Sequence, residues 1–210
     1  MSFKDLREFL DLLTQNGELK VCRREADTRI EIAKVTDKST KVQGPAILFT
    51  HVKGFKAPVV TGLFGTIDRS FLMIESNKYD GFKKLARGLE KPIPLRLVND
   101  GPSKEIINIG NNLDLNELPV LWHHEKDSHR FITTANCRVK DPDTNISNSS
   151  INRVAVQGRD KLTVQSNPAS TGHDRSQIFR KREEMPYCFG DGYGSGNPCC
   201  ECLRYSPWDR

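Results

Sequence analysis

Leu6, Phe9, Leu10 and Leu13 recur at steps of three and four, which sets one apolar stripe on a helix over residues 3–14. Ser2 stands where a cap would, with Asp5 three residues on, and Gly17 can end the helix. Ile30, Ala33 and Val35 predict a second helix over 29–38. An apolar run over 46–49, a turn at Lys53-Gly54 and a second run over 59–63 read as a hairpin or two neighbouring strands. Residues 67–90 read as two helices broken near Asn77. Pro92 and Pro94 then stop helix formation and begin an extended segment through Val98. Beyond a turn signal at Asp100-Gly101-Pro102 the pattern changes to strands, over 131–139, 151–157 and 162–165. Gly158-Arg159-Asp160 joins the last two as a tight hairpin, and residues 173–184 look helical again. The pattern predicts an α+β fold in parts: a small mixed domain over 1–112 and a strand-rich one over 113–187.

The final stretch, 188–210, differs. It holds four of the six cysteines and four glycines, with no helical or strand period. Such a composition buries little apolar surface against the entropy of ordering the chain, so it is expected to be disordered. Cys188, Cys199, Cys200 and Cys202 lack the paired CxxC spacing of a zinc knuckle, although a small zinc module is a reading to weigh.

Composition narrows the partners. A net charge of +5 is spread among acidic residues along the whole chain. The densest basic run, Arg180-Lys181-Arg182, is followed at once by Glu183 and Glu184, which reads as a solvated face and not as a nucleic-acid patch. The opening residues carry no apolar signal segment, and no run is long enough for a transmembrane helix. A cytoplasmic, reducing location with free thiols is the expectation.

The candidate chemistry lies between Leu113 and Glu184. In order come Leu118-Pro119-Val120, His123-His124-Glu125-Lys126-Asp127, Phe131-Ile132-Thr133, Asp141-Pro142-Asp143-Thr144, Asn148 with Arg153 five residues on, and His173-Asp174. This succession resembles the UbiD family of decarboxylases, as does the opening Phe3-Lys4-Asp5-Leu6-Arg7 with Gly17-Glu18-Leu19. The resemblance implies that the second part belongs to a split β-barrel that binds prenylated FMN. It further implies a divalent metal, Mn2+, with K+ as a second cation. By the same resemblance Asn148 and His173 are metal ligands and Arg153 pairs with the carboxylate of a small aromatic acid substrate. Ser150, Ile151, Asn152 and Arg153 would lie along the flavin. A homo-oligomer is implied as well, and a place in ubiquinone biosynthesis for polyprenyl-hydroxybenzoate substrates.

The residue types suit those roles. A hard cation accepts an amide oxygen and an imidazole, usually with a carboxylate. A guanidinium grips a carboxylate through two parallel hydrogen bonds, which lysine cannot do. Asn148 and Arg153 are an odd step apart, so Asn148 is expected in the turn before the strand that carries Arg153. Taken singly, Asn148 is a turn residue, Arg153 a surface strand residue and His173 a helix-start residue; order and context give them meaning. Adjacent histidines on an extended chain point apart, which favours a structural role for His123 and His124 over shared ligation.

The chain departs from the family at Ser128-His129 and Asn145, where glycines are usual, and adds residues near Ser170-Thr171-Gly172. The resemblance implies a chain roughly twice this length, with the third metal ligand and the proton-donating glutamates in the part not present. A truncation or shifted frame is therefore expected. Two functions stay open: decarboxylation of an aromatic or α,β-unsaturated acid, or an inactive fragment that keeps only flavin, metal or partner binding.

Overall fold

The computed structural model describes residues 3, 5–91, 105–140, 147–164, 185–190 and 203–205. Of these, 138–140, 147, 148, 185–190 and 203–205 are described by their backbone alone. The first helix, α1, runs Leu6–Gln15. Its cap is Asp5 and not Ser2, which lies outside the described residues. The Asp5 carboxylate accepts from the Arg7 and Glu8 N–H groups, which satisfies two of the donors that a helix start leaves bare. Gly17, at φ 70°, closes the other end. There the Glu18 N–H reaches Leu13 O and the Gly17 N–H reaches Thr14 O, a Schellman pair.

A strand that the apolar pattern does not show follows at once: β1, Leu19–Cys22. It is short, charged at Lys20 and half open at Val21, so it carries no alternation to read. Helix α2, Glu31–Lys41, crosses back to β2, Ala46–Phe49, which pairs parallel with β1. Parallel neighbours need such a crossover. The expected hairpin is present, with β3, Val59–Thr61, antiparallel to β2. The face of α2 that was expected to carry Ile30, Ala33 and Val35 is different. Ile32 is its buried residue and Val35 is exposed. Ile30 instead precedes the helix at φ 71°, in a tight turn that the Glu31 N–H closes onto Arg29 O at 2.8 Å. That turn moves the helix start past Ile30.

Two helices, α3 at Ile67–Met73 and α4 at Gly81–Glu90, bear out the break near Asn77. Ala26, Ile32, Ile47, Phe49 and Val52 form one core, and Phe9, Leu13, Ala46 and Leu63 a second on the α1 side. The extended segment expected after Pro92 lies outside the described residues.

The second sheet has the strand order β6-β5-β4-β7-β8. Its members are β4 at Arg130–Lys140, β5 at Ser147–Val156, β6 at Leu162–Val164, β7 at Met185–Gly190 and β8 at Leu203–Tyr205. Ala135, Cys137 and Val154 pack on one another, joined by Ile132, Leu162 and Val164. The α+β class holds, and the sheet is open among the described residues. Where the 188–210 stretch was expected to carry no strand, Cys188 pairs with Arg138 as part of β7, and 203–205 form β8. Backbone groups alone make a ladder, so an open edge such as that of β4 recruits a strand that has no apolar period. The helix expected over 173–184 and the turn at 141–144 lie outside the described residues.

Candidate active site

The site grows from an irregularity in the β4–β5 ladder. Ile132 pairs with Val154 and Ala135 with Asn152, so Thr133 and Thr134 together face the single residue Arg153. Such a bulge bends its strand and re-aims side chains. Phe131 pairs with Ala155, which makes it a diagonal same-face neighbour of Arg153. The guanidinium carbon lies 3.7 Å over the Phe131 ring. A flat cation on an aromatic face is attracted by the ring quadrupole and keeps its N–H edges for other partners.

One of those edges is taken. Arg153 Nη2 donates to Asp127 Oδ2 at 2.8 Å; the Asp127 side chain is 12% exposed, that of Arg153 47%. Asp127 is set by the turn before it. Its carboxylate accepts the His124 N–H at 3.1 Å, and its own N–H donates to His124 O. Burial works to raise the Asp127 pKa, but the bonds from Arg153 and the His124 N–H outweigh it and hold the carboxyl below its ordinary value of 3.8. His123 shares its Nε2 with Phe131 O at 3.2 Å. Burial, the largest influence, pushes its pKa below 6.5, with the Arg153 charge in the same direction.

The segment that carries these residues is pinned from two sides. The Trp122 N–H reaches Thr28 O, the Ile30 N–H reaches Trp122 O, and the Phe131 N–H reaches Leu121 O. Lys34 Nζ meets Glu125 Oε1 at 3.1 Å. An open cleft of about 1200 Å³ runs beside it, lined by Ile30, Phe64, His123, Asp127, Thr133 and Thr134 among others.

Arg153 thus lies at the centre of the arrangement. Ser150, Ile151 and Asn152 precede it on β5, and all four residues are outside the lining of that cleft. Asn152 Nδ2 donates to Ser150 Oγ at 2.8 Å, and Ile151 is 76% exposed. Asn148 was expected in the turn before the strand; it is within β5, opposite Val139. The long antiparallel pairing with β4 extends the strand back past it. His173 lies outside the described residues, so the expected approach of Asn148 to His173 does too. Among the described residues no three His, Cys, Asp or Glu side chains gather as metal ligands. His123 meets a backbone carbonyl through its ring, and His124 enters the turn through its backbone N–H and C=O. The partnership of Arg153 with Asp127 and Phe131 was not foreseen. Both residues belong to the motif run quoted above, but 26 positions separate the ion pair, and no linear spacing encodes it.

A parallel-and-antiparallel sheet with crossover helix, followed by an open antiparallel sheet, places the chain in the α+β class. The chain belongs to the UbiD family: residues 10–89 match the 3-octaprenyl-4-hydroxybenzoate carboxy-lyase N-terminal domain and residues 96–193 its Rift-related domain. It is similar to the UbiD-class enzyme HmfF from Pelotomaculum thermopropionicum in complex with FMN, at 34% identity and a TM-score of 0.82. That match covers 90% of this chain and 43% of HmfF. An evolved dimeric form of HmfF in complex with prenylated FMN matches at 34% identity and a TM-score of 0.81, covering 89% of this chain and 44% of that one. Vanillic acid decarboxylase from Sedimentibacter hydroxybenzoicus, in its closed form, matches at 28% identity and a TM-score of 0.81, with 90% and 43% covered. The chain therefore spans less than half the length of these relatives.

Proposed function

We propose that this chain supplies the acid-binding half of a decarboxylase that removes CO2 from an aromatic or α,β-unsaturated acid with the help of a prenylated flavin. The observation that carries the reading is the placement of Arg153, stacked on Phe131 with an exposed edge. A guanidinium so held takes a carboxylate in a fixed plane, and the ring beneath it keeps that plane.

The open side of the strand beside it supports a flavin there. β6 pairs only with Val154, Ala155 and Val156 of β5, so among the described residues no strand neighbours that side of β5 before Val154. The exposed Ile151 side chain stands in the same stretch, an apolar surface that a planar ring system can cover. Residues 150–153 would hold the flavin there. When bound, the prenylated flavin supplies a sink for the electron pair left behind by CO2. Arg153 orients the acid, and Phe131 and Asp127 hold Arg153. Metal ligation by Asn148 and His173, with Mn2+ and K+, rests on the family resemblance alone and carries no step. A small aromatic acid partner, a homo-oligomer, a role in ubiquinone biosynthesis and a cytoplasmic location belong to the same proposal.

A second reading, binding without turnover, is favoured by one observation. Decarboxylation needs a proton to replace CO2. Asp127 is held ionised and His123 is held neutral, so neither is a poised acid beside Arg153. CO2 release from a panel of aromatic acids by the flavin-reconstituted chain separates the two. Turnover abolished by Arg153→Ala supports the first reading. Flavin and acid binding without CO2 supports the second, and failure to bind either overturns both.

A further inference from the structure

Arg153 has one edge against Asp127 and one face against Phe131. A substrate carboxylate and the Asp127 carboxylate would therefore share a single guanidinium. Two anions on one guanidinium lie roughly 4–6 Å apart, where like charges repel measurably even near a protein surface. Asp127 cannot swing away without cost. The His124 N–H holds the same oxygen that Arg153 holds, and the Asp127 N–H closes the turn onto His124 O. Of the two lysines that line the cleft, Lys34 is taken by Glu125, and Lys126 follows Glu125 on the exposed turn. Asp127 lines the cleft and Arg153 does not, so an acid that comes from the cleft meets the Asp127 carboxylate first.

We infer that Asp127 is a built-in competitor for the substrate carboxylate, a positioning residue that holds Arg153 in place and sets how tightly an acid must bind to share or displace it. The inference rests on the reading of Arg153 as the carboxylate anchor and adds the residue that tunes it. Weak acids with a poor second foothold are rejected, because their carboxylate alone does not outcompete a tethered one. Acids whose ring gains contact in the cleft or on the flavin are retained. Asp127 thus acts as a selectivity device that the anchor itself does not provide.

The test uses the whole 210-residue chain and benzoate as probe, followed by calorimetric titration, a readout that every variant retains. The proteins are wild type, Asp127→Asn, Asp127→Glu, Arg153→Ala and the Asp127→Asn/Arg153→Ala double variant. Asparagine keeps an acceptor for the His124 N–H, so the turn is retained, and amide spectra check the fold of each protein. Removing a competing charge whose partner, Arg153, is half exposed should tighten benzoate about fivefold, the size expected of partly exposed ion pairs. Asp127→Glu should stay within about twofold of wild type if charge and not shape is responsible. The double variant should lose the gain. Binding that depends on Arg153 but is unchanged or weaker in Asp127→Asn overturns the competitor and leaves the anchor standing. Binding indifferent to Arg153→Ala overturns the anchor itself. Absence of benzoate binding in Asp127→Asn overturns the inference too, since that variant is the one expected to bind best.

Discussion

Arg153 lies over Phe131, its guanidinium carbon 3.7 Å from the ring centroid, because the two are diagonal neighbours on one face of the β4–β5 ladder. A partly exposed contact of this kind is worth about 0.5–1 kcal/mol. Phe131→Leu keeps an apolar side chain and removes the ring face. It should loosen carboxylate binding about threefold and barely move the thermal midpoint. Equal affinity in the two proteins would show that Phe131 is packing only.

Stability should fall with acid in two windows. His123 has a folded pKa below 6.5, so between the two values the unfolded chain binds the extra proton. Its contribution is present above pH 6.5 and is lost as the pH falls through the folded value. Asp127 has the same sign in a lower window, with its contribution lost below 3.8 as the pH passes through its depressed folded value. Urea midpoints between pH 7.5 and 5 should decline for the wild type and flatten for His123→Gln. A wild-type midpoint that is level across that range would contradict the assignment.

A second ion pair governs the first sheet. Arg69 is 1% exposed and meets Glu18 Oε2 at 2.6 Å, while its Nε and Nη2 have no hydrogen-bond partner among the described residues. Removing only the carboxylate strands a buried cation, whereas replacing the arginine by an apolar residue of like volume does not. Glu18→Gln should therefore destabilise by about 2–3 kcal/mol, and the Glu18→Gln/Arg69→Met double variant by less. Denaturant melts give the ordering, and a double variant worse than the single one would show that Arg69 stabilises through more than its charge.

How much of this was legible in the sequence follows from what each signal depends on. The apolar stripe of Leu6, Phe9 and Leu13 depends on a local period, and α1 is present. The strands β4 and β5 were visible for the same reason. β1 was not, because a four-residue charged strand shows no alternation and forms only when α2 brings β2 beside it. Arg153 was singled out by its motif. Its partners depend on a bulge that sets two threonines against it and on a turn 26 residues earlier in the chain. These are tertiary facts with no spacing to announce them. Asn148 was misplaced because a hairpin turn was expected where the ladder with β4 continues.

On the proposed reading, Arg153 recognises the carboxylate of an aromatic acid. Calorimetric titration of the chain with 4-hydroxybenzoate and with 4-hydroxybenzamide tests it most directly, since the two differ only in the charged group. The acid should bind and the amide should not, Arg153→Gln should remove acid binding, and Arg153→Lys should keep less than a tenth of it because lysine cannot make the paired contact. Acid and amide binding alike, or acid binding that survives Arg153→Gln, would contradict it.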